Sequence, residues 1–173
     1  MNSAVPTSPA ARRAAPPAGR RSELAAFTGI GVLCVLAGGL LVAATARAPS
    51  EHASWAGAYL VLVGGLAQAG LGIGQATFTA PRPSLAVLAA QLVGWNLGNA
   101  VVLVGTLLGV MPLVDLGGLL LVATLALVAH RLRSSKGSPG DLAHRLGRQG
   151  FRLLILILLV SIPVGLVLVR VRG

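Results

Sequence analysis

Charge is the scarcest ingredient of this chain. Only 10% of its 173 residues are Asp, Glu, Lys or Arg, against about 25% in an average soluble domain. Acidic side chains number four, and they form no carboxylate-pair motif. Cysteine occurs once, as Cys34, which excludes an internal disulfide and any Cys-x-x-Cys metal motif. Other signatures are missing as well. There is no Gly-x-Ser-x-Gly nucleophile, no His-Glu-x-x-His, no phosphate-cradling glycine loop with a lysine, and no Glu or Asp in the middle of an apolar run, where proton-coupled transporters carry one.

What the chain does have is apolar length. It is 55% hydrophobic with a mean hydropathy of +0.84. A bilayer core of about 30 Å takes roughly 20 helical residues, and five nearly charge-free stretches of that order are present. They predict an all-α, polytopic transmembrane bundle with helices at 24–46, 55–78, 85–110, 112–130 and 151–170. Arg170 and Arg172 follow the fifth and set an adverse charge beyond its end, so four helices is the alternative count. The 23 apolar residues of the first stretch exceed the usual signal-peptide core of about 7–15, so a retained helix is expected there. Residues 1–22, rich in Pro, Ala and Arg, have no apolar periodicity and are expected to be a disordered basic arm. The membrane domain then covers 23–173.

The net charge of +10 is explained by orientation, not nucleic-acid binding, since the basic residues sit between apolar segments. Placing the N-terminus in the cytoplasm puts Arg12, Arg13, Arg20, Arg21, Arg82, Arg131, Arg133, Lys136, Arg145, Arg148 and Arg152 inside and only Arg47, Arg170 and Arg172 outside. The expected setting is a cell membrane, bacterial and multi-pass. The loop 131–150 is then cytoplasmic, with Asp141 capping a short amphipathic segment that lies on headgroups or stays solvated.

Glycine and amides mark the expected packing faces. In lipid, helices associate through close backbone approach and interhelical hydrogen bonds. At 100° per residue, Gly94, Gly98, Gly105 and Gly109 stay within about 60° of one another on the third helix. Gly64, Gln68, Gly72 and Gln75 share a face on the second, within about 80°. Gln91 lies on the glycine groove at the depth of Gln68, so a glutamine pair bridging helices two and three is expected. Asn96 and Asn99 stand mid-helix beside Trp95, as interhelical hydrogen-bonding groups or as a polar pocket. Asp115, near the start of the fourth helix, suits the positive end of the helix dipole or a protonatable station on a path.

The text HASWAGAYLVLVGGLAQAGLGIGQATF, followed by QLVGWNLGNAVVLVGTLLG and GGLLLVATLALVAHRLR, resembles part of the haem-copper oxidase subunit I and NnrS-like superfamily over residues 52–131. In that family a histidine-bearing helix of this kind supplies haem or copper ligands. His52 is the one position that matches; Ser54 stands where a second histidine often falls, and no other helix carries a histidine at depth. The resemblance therefore implies a short member without metal binding, and no cofactor is expected.

These features give a non-enzymatic membrane protein, a structural or accessory component of a membrane complex that meets the lipid bilayer and other subunits or a second copy of itself. The first alternative is a small transporter or channel subunit with Gln68, Asn96 and Asn99 lining a neutral polar path. The second is a haem- or metal-binding respiratory protein dependent on His52.

Overall fold

The computed structural model describes residues 18–48, 50–79, 83–134 and 142–172. All of the regular structure among them is helical, and five helices are long and apolar enough to cross a membrane. Helix α1 is Ala18–Thr45, α2 Glu51–Phe78, α3 Leu85–Leu108, α4 Met111–Ser134 and α5 Leu142–Arg172. The chain ends of α2 and α4 and the starts of α3 and α5 share one end of the bundle, here the basic end. The expected arm at 1–22 falls largely outside the described residues; its last residues, from Ala18, are already helical.

The connections are short and chemically specified. Ser50 caps α2, its hydroxyl accepting from the Ala53 amide at 3.2 Å, and Ser84 caps α3 through the Val87 amide at 3.3 Å, each satisfying an amide that a first helical turn leaves unpaired. Between α3 and α4 the turn is only Gly109 and Val110. Gly109 is left-handed at φ 67°, its amide donates to Thr106 and the Val110 amide donates back to Gly105 at 2.8 Å. That is a Schellman closure, and it makes Gly109 a helix cap instead of a member of the glycine groove, where its spacing had placed it.

Two helix pairs carry the packing, and they are not the expected pair. The glycine groove of α3 receives α4: a Cβ on Gly98 would stand 2.9 Å from the Leu121 side chain and 3.1 Å from the Gly117 carbonyl, and one on Gly105 would stand 2.8 Å from the Val114 amide. Gly94 is covered by Thr124. Helix α2 turns its small face to α1. Gly64 lies against Cys34, Gly72 against Phe27, Gly65 against the Gly31 carbonyl and Gly57 against the Gly38 carbonyl. Helices α2 and α3 therefore meet at few points. The physical reason is that each glycine face is satisfied by a near neighbour in sequence whose connection is shorter.

At the basic end, α5 is clamped onto α2. Gly74 leaves room for the Phe151 ring and Gly147 for the Phe78 ring. Phe78 stacks on Phe151 with centroids 6.1 Å apart and meets the His144 ring edge-on at 5.2 Å. These contacts begin at His144, about two turns before the expected start of the fifth span at residue 151, and α5 runs unbroken for 31 residues. The short headgroup-lying segment expected after Asp141 is thus the first part of one long helix, packed upright on α2; Asp141 itself lies outside the described residues. A helix of that length reaches roughly 46 Å, more than the apolar core of about 30 Å, so part of it must project beyond.

The apolar core lies between α2, α3, α4 and α5, around Leu71, Trp95, Leu121, Leu125, Val128, Phe151 and Ile155. Helix α1 sits outside it and leaves Val32, Leu33, Leu36 and Leu40 exposed, the surface expected of a helix facing lipid.

Candidate functional site

The middle of α2 is unusual. Leu60–Ala67 is π-helical, flanked by α-helix on both sides. Such wide turns are rare and occur frequently at functional sites. This one separates two polar residues that face the interior, Tyr59 at its start and Gln68 at its end.

Tyr59 donates its hydroxyl to Asn99 Oδ1 of α3 at 2.8 Å. Asn99 in turn donates Nδ2 to the carbonyl of Trp95, one turn along its own helix, also at 2.8 Å. This contact fixes the register of the two helices. Counting from it toward the basic end, Gln68 is nine residues along α2, through the wider and shorter-rise π-helical stretch, and Gln91 eight along α3, so the two amides lie within about a helical turn of each other in depth. Gln75 lies two turns further. Gln68, Gln91 and Trp95 are each 0% exposed. Neither the amide groups of Gln68, Gln75 and Gln91 nor the indole Nε1 of Trp95 has a hydrogen-bond partner among the described residues. The expected bond between Gln68 and Gln91 is accordingly absent there, because α2 and α3 are held apart by their separate glycine partners. A buried polar group without a partner costs about 1–3 kcal/mol, and four in one interior is a large concentration.

Compared with protein-family models, with curated proteins and with solved structures, the chain matches none. The site must be read from its own geometry.

Beyond Tyr59, toward the opposite end, the bundle opens into a cavity of about 300 Å³ between α2, α3, α4 and α5. Val63, Val102, Leu121 and Leu158 give it apolar walls, and Trp55, Tyr59, Thr106 and Ser161 bring the polar atoms. The rings of Trp55 and Tyr59 stack at 5.2 Å on one side. The hydroxyls of Thr106 and Ser161 each donate to a carbonyl one turn back, at 2.8 and 2.6 Å, leaving their oxygen lone pairs available as acceptors. Tyr59 is shared by the cavity and the Asn99 contact; the glutamine amides lie further along, and the neutral polar series they make with Asn99 and Tyr59 is not joined throughout by hydrogen bonds among the described residues.

The remaining residues singled out from sequence are not part of it. Asn96 is half-buried and donates to the Leu92 carbonyl of its own helix at 2.8 Å, apart from the Tyr59 contact. Asp115 is half-buried near the start of α4. Gly64, Gly72, Gly94, Gly98 and Gly105 serve helix contact, as described above. His52 is exposed on the first turn of α2, and His130 and His144 belong to the basic end. Among the described residues no three His, Cys, Asp or Glu side chains gather as a metal site would require. Tyr59, Thr106 and Ser161 belong to no motif or periodic face in the sequence, and the partner of Tyr59 is 40 residues away.

Proposed function

We propose that this chain is a small non-enzymatic transport or channel-type subunit, multi-pass in a cell membrane with its N-terminus inside, that admits an uncharged polar or amphipathic solute. One observation carries the reading: the unpartnered Gln68, Gln75, Gln91 and Trp95 groups enclosed in the interior, in the same bundle as a largely apolar cavity whose wall includes Tyr59, itself bonded to Asn99, and the Thr106 and Ser161 hydroxyls. A neutral solute or water supplies donors and acceptors to such groups, whereas an ion would need a counter-charge that this interior does not offer. The arginine count supports the orientation. The test is reconstitution of the purified chain into liposomes and light-scattering measurement of swelling with water and small polyols. Swelling faster than protein-free vesicles, lost in Gln68→Leu, supports it; equal rates for all solutes overturn it.

The accessory reading keeps one observation of its own. Gly29 and Gly39 of α1 have nothing within 4 Å of where a Cβ would be, so a neighbouring subunit's helix would find close backbone approach there. Affinity purification from the native membrane, with identification of co-purifying chains, tests it. The resemblance to the haem-copper oxidase and NnrS-like superfamily enters neither reading, since exposed His52 would be its single ligand. An absorption spectrum with a Soret band would revive a haem function.

A further inference from the structure

A second feature lies at the basic end, away from the polar series. Between α4 and α5 runs a groove of about 340 Å³ lined by Arg133 and Arg152 at its mouth and by Leu132, Ile155, Leu156 and Leu159 along its length. Both arginines are exposed. They come from different helices, Arg133 from the last turn of α4 and Arg152 from α5. Leu156 and Leu159 follow Arg152 by one and two turns, roughly 6 and 10 Å further toward the centre of the bundle. The groove is therefore cationic at the membrane edge and apolar inward.

The wall between the helices is fixed independently. Arg148 donates Nη2 to the Leu132 carbonyl at 3.1 Å, tying α5 to the last turn of α4 just behind the groove. Arg131 and Arg145 also stand at this end. Of the chain's four acidic residues, Glu51 and Asp115 belong to the opposite end of the bundle, and the side chains of Glu23 and Asp141 lie outside those described.

The geometry points to a binding site for one anionic glycerophospholipid, its phosphate held between the guanidinium groups of Arg133 and Arg152 and one acyl chain laid along Leu156 and Leu159. Two guanidiniums present forked donors that match phosphate oxygens. A groove of fixed shape between two tied helices distinguishes a site from a general basic collar, and basic pockets between membrane helices hold anionic headgroups elsewhere. Zwitterionic lipid brings a choline or ethanolamine cation against the same arginines and is disfavoured. The inference rests on the membrane placement above, but not on solute passage.

The experiment is native mass spectrometry of the full chain released from vesicles of phosphatidylcholine and phosphatidylglycerol in equal parts. One retained phosphatidylglycerol is expected in preference to phosphatidylcholine. Arg133→Gln and Arg152→Gln should each reduce that preference, by roughly fivefold per arginine at about 1 kcal/mol each. Leu156→Trp, which fills the groove and keeps both charges, should reduce it as well, while Arg145→Gln, which lies outside the groove lining, should reduce it less than either groove arginine. Equal retention of the two lipids by the wild type overturns the site, as does an Arg145→Gln loss as large as that at Arg152. Flotation of every variant with the vesicles reports membrane insertion separately, and circular dichroism reports folding, so failure of the lipid site and failure of the membrane reading give different results.

Discussion

Tyr59 and Asn99, 40 residues apart, join α2 to α3 through a single hydrogen bond of 2.8 Å, with the phenol donating to the amide oxygen. Because these two helices share few other contacts, that bond sets their relative depth. Tyr59→Phe removes the donor and preserves the stack on Trp55. The expected cost is about 0.6–2 kcal/mol, the range for interhelical hydrogen bonds in membranes, read as a lower thermal midpoint in detergent. Tyr59→Leu should cost more, since the 5.2 Å ring contact goes too. A Phe variant as stable as the wild type would show that the bond does not hold the register.

The buried glutamines behave oppositely. Gln68 and Gln91 are enclosed without partners among the described residues, so exchanging both for leucine removes amides whose burial is costly and leaves side chains of similar size. The double variant Gln68→Leu, Gln91→Leu should match or exceed the wild type in thermal stability by up to about 2 kcal/mol, while abolishing the solute-dependent swelling. Stability and transport would then separate. A double variant that is less stable would instead reveal a direct glutamine bridge, and unchanged swelling would remove the amides from the path.

Much of this architecture is legible along the chain, because lipid imposes length and charge rules on each helix separately. The interval between Glu23 and Arg47 marks α1, and the same logic places the other four. Faces within a helix are legible too: Gly94, Gly98 and Gly105 do share one side of α3. Which helix fills that side is not, since the spacing is the same whether α2 or α4 answers it; the deciding feature is the two-residue Schellman turn at Gly109 and Val110, which seats Gly117 opposite Gly98. Gly109 itself fits the groove's angular period and differs only in backbone hand. The π-helical stretch at Leu60–Ala67 leaves no mark in composition, and it shifts the phase of everything after it on α2. The clamp of Phe151 into Gly74 joins residues that only the folded bundle makes neighbours.

The proposed orientation, with the N-terminus inside, rests on the arginine count and has a direct readout. If all five helices cross, the two termini stand on opposite sides. A fluorescent reporter that requires the cytoplasm should be active at the N-terminus, and a phosphatase that requires export should be active after Arg172. Moving three arginines from the 131–152 region to glutamine should leave the orientation unchanged, given that Arg12, Arg13, Arg20 and Arg21 flank the first helix, which usually dominates. Removing those four should produce a mixed population. A cytoplasmic C-terminus in the wild type would reduce the count of crossings to four.

Glycine positions in α1 and α4 make the sharpest contrast, because the same substitution is expected to act in opposite directions. At Gly117 a Cβ would lie 2.7 Å from the Val102 backbone nitrogen and 2.8 Å from the Gly98 carbonyl oxygen. Both are backbone atoms, so α3 and α4 must separate to admit a methyl group, and Gly117→Ala should cost about 1–3 kcal/mol. At Gly29 nothing lies within 4 Å. Alanine there relieves the entropic penalty of glycine inside a helix, and Gly29→Ala should be neutral or stabilising by up to about 1 kcal/mol. Thermal unfolding of the two variants in the same detergent decides the matter. Equal effects would mean that the α3–α4 contact is looser than the glycine geometry requires, and a marked loss at Gly29 would mean that α1 packs against a partner through that face.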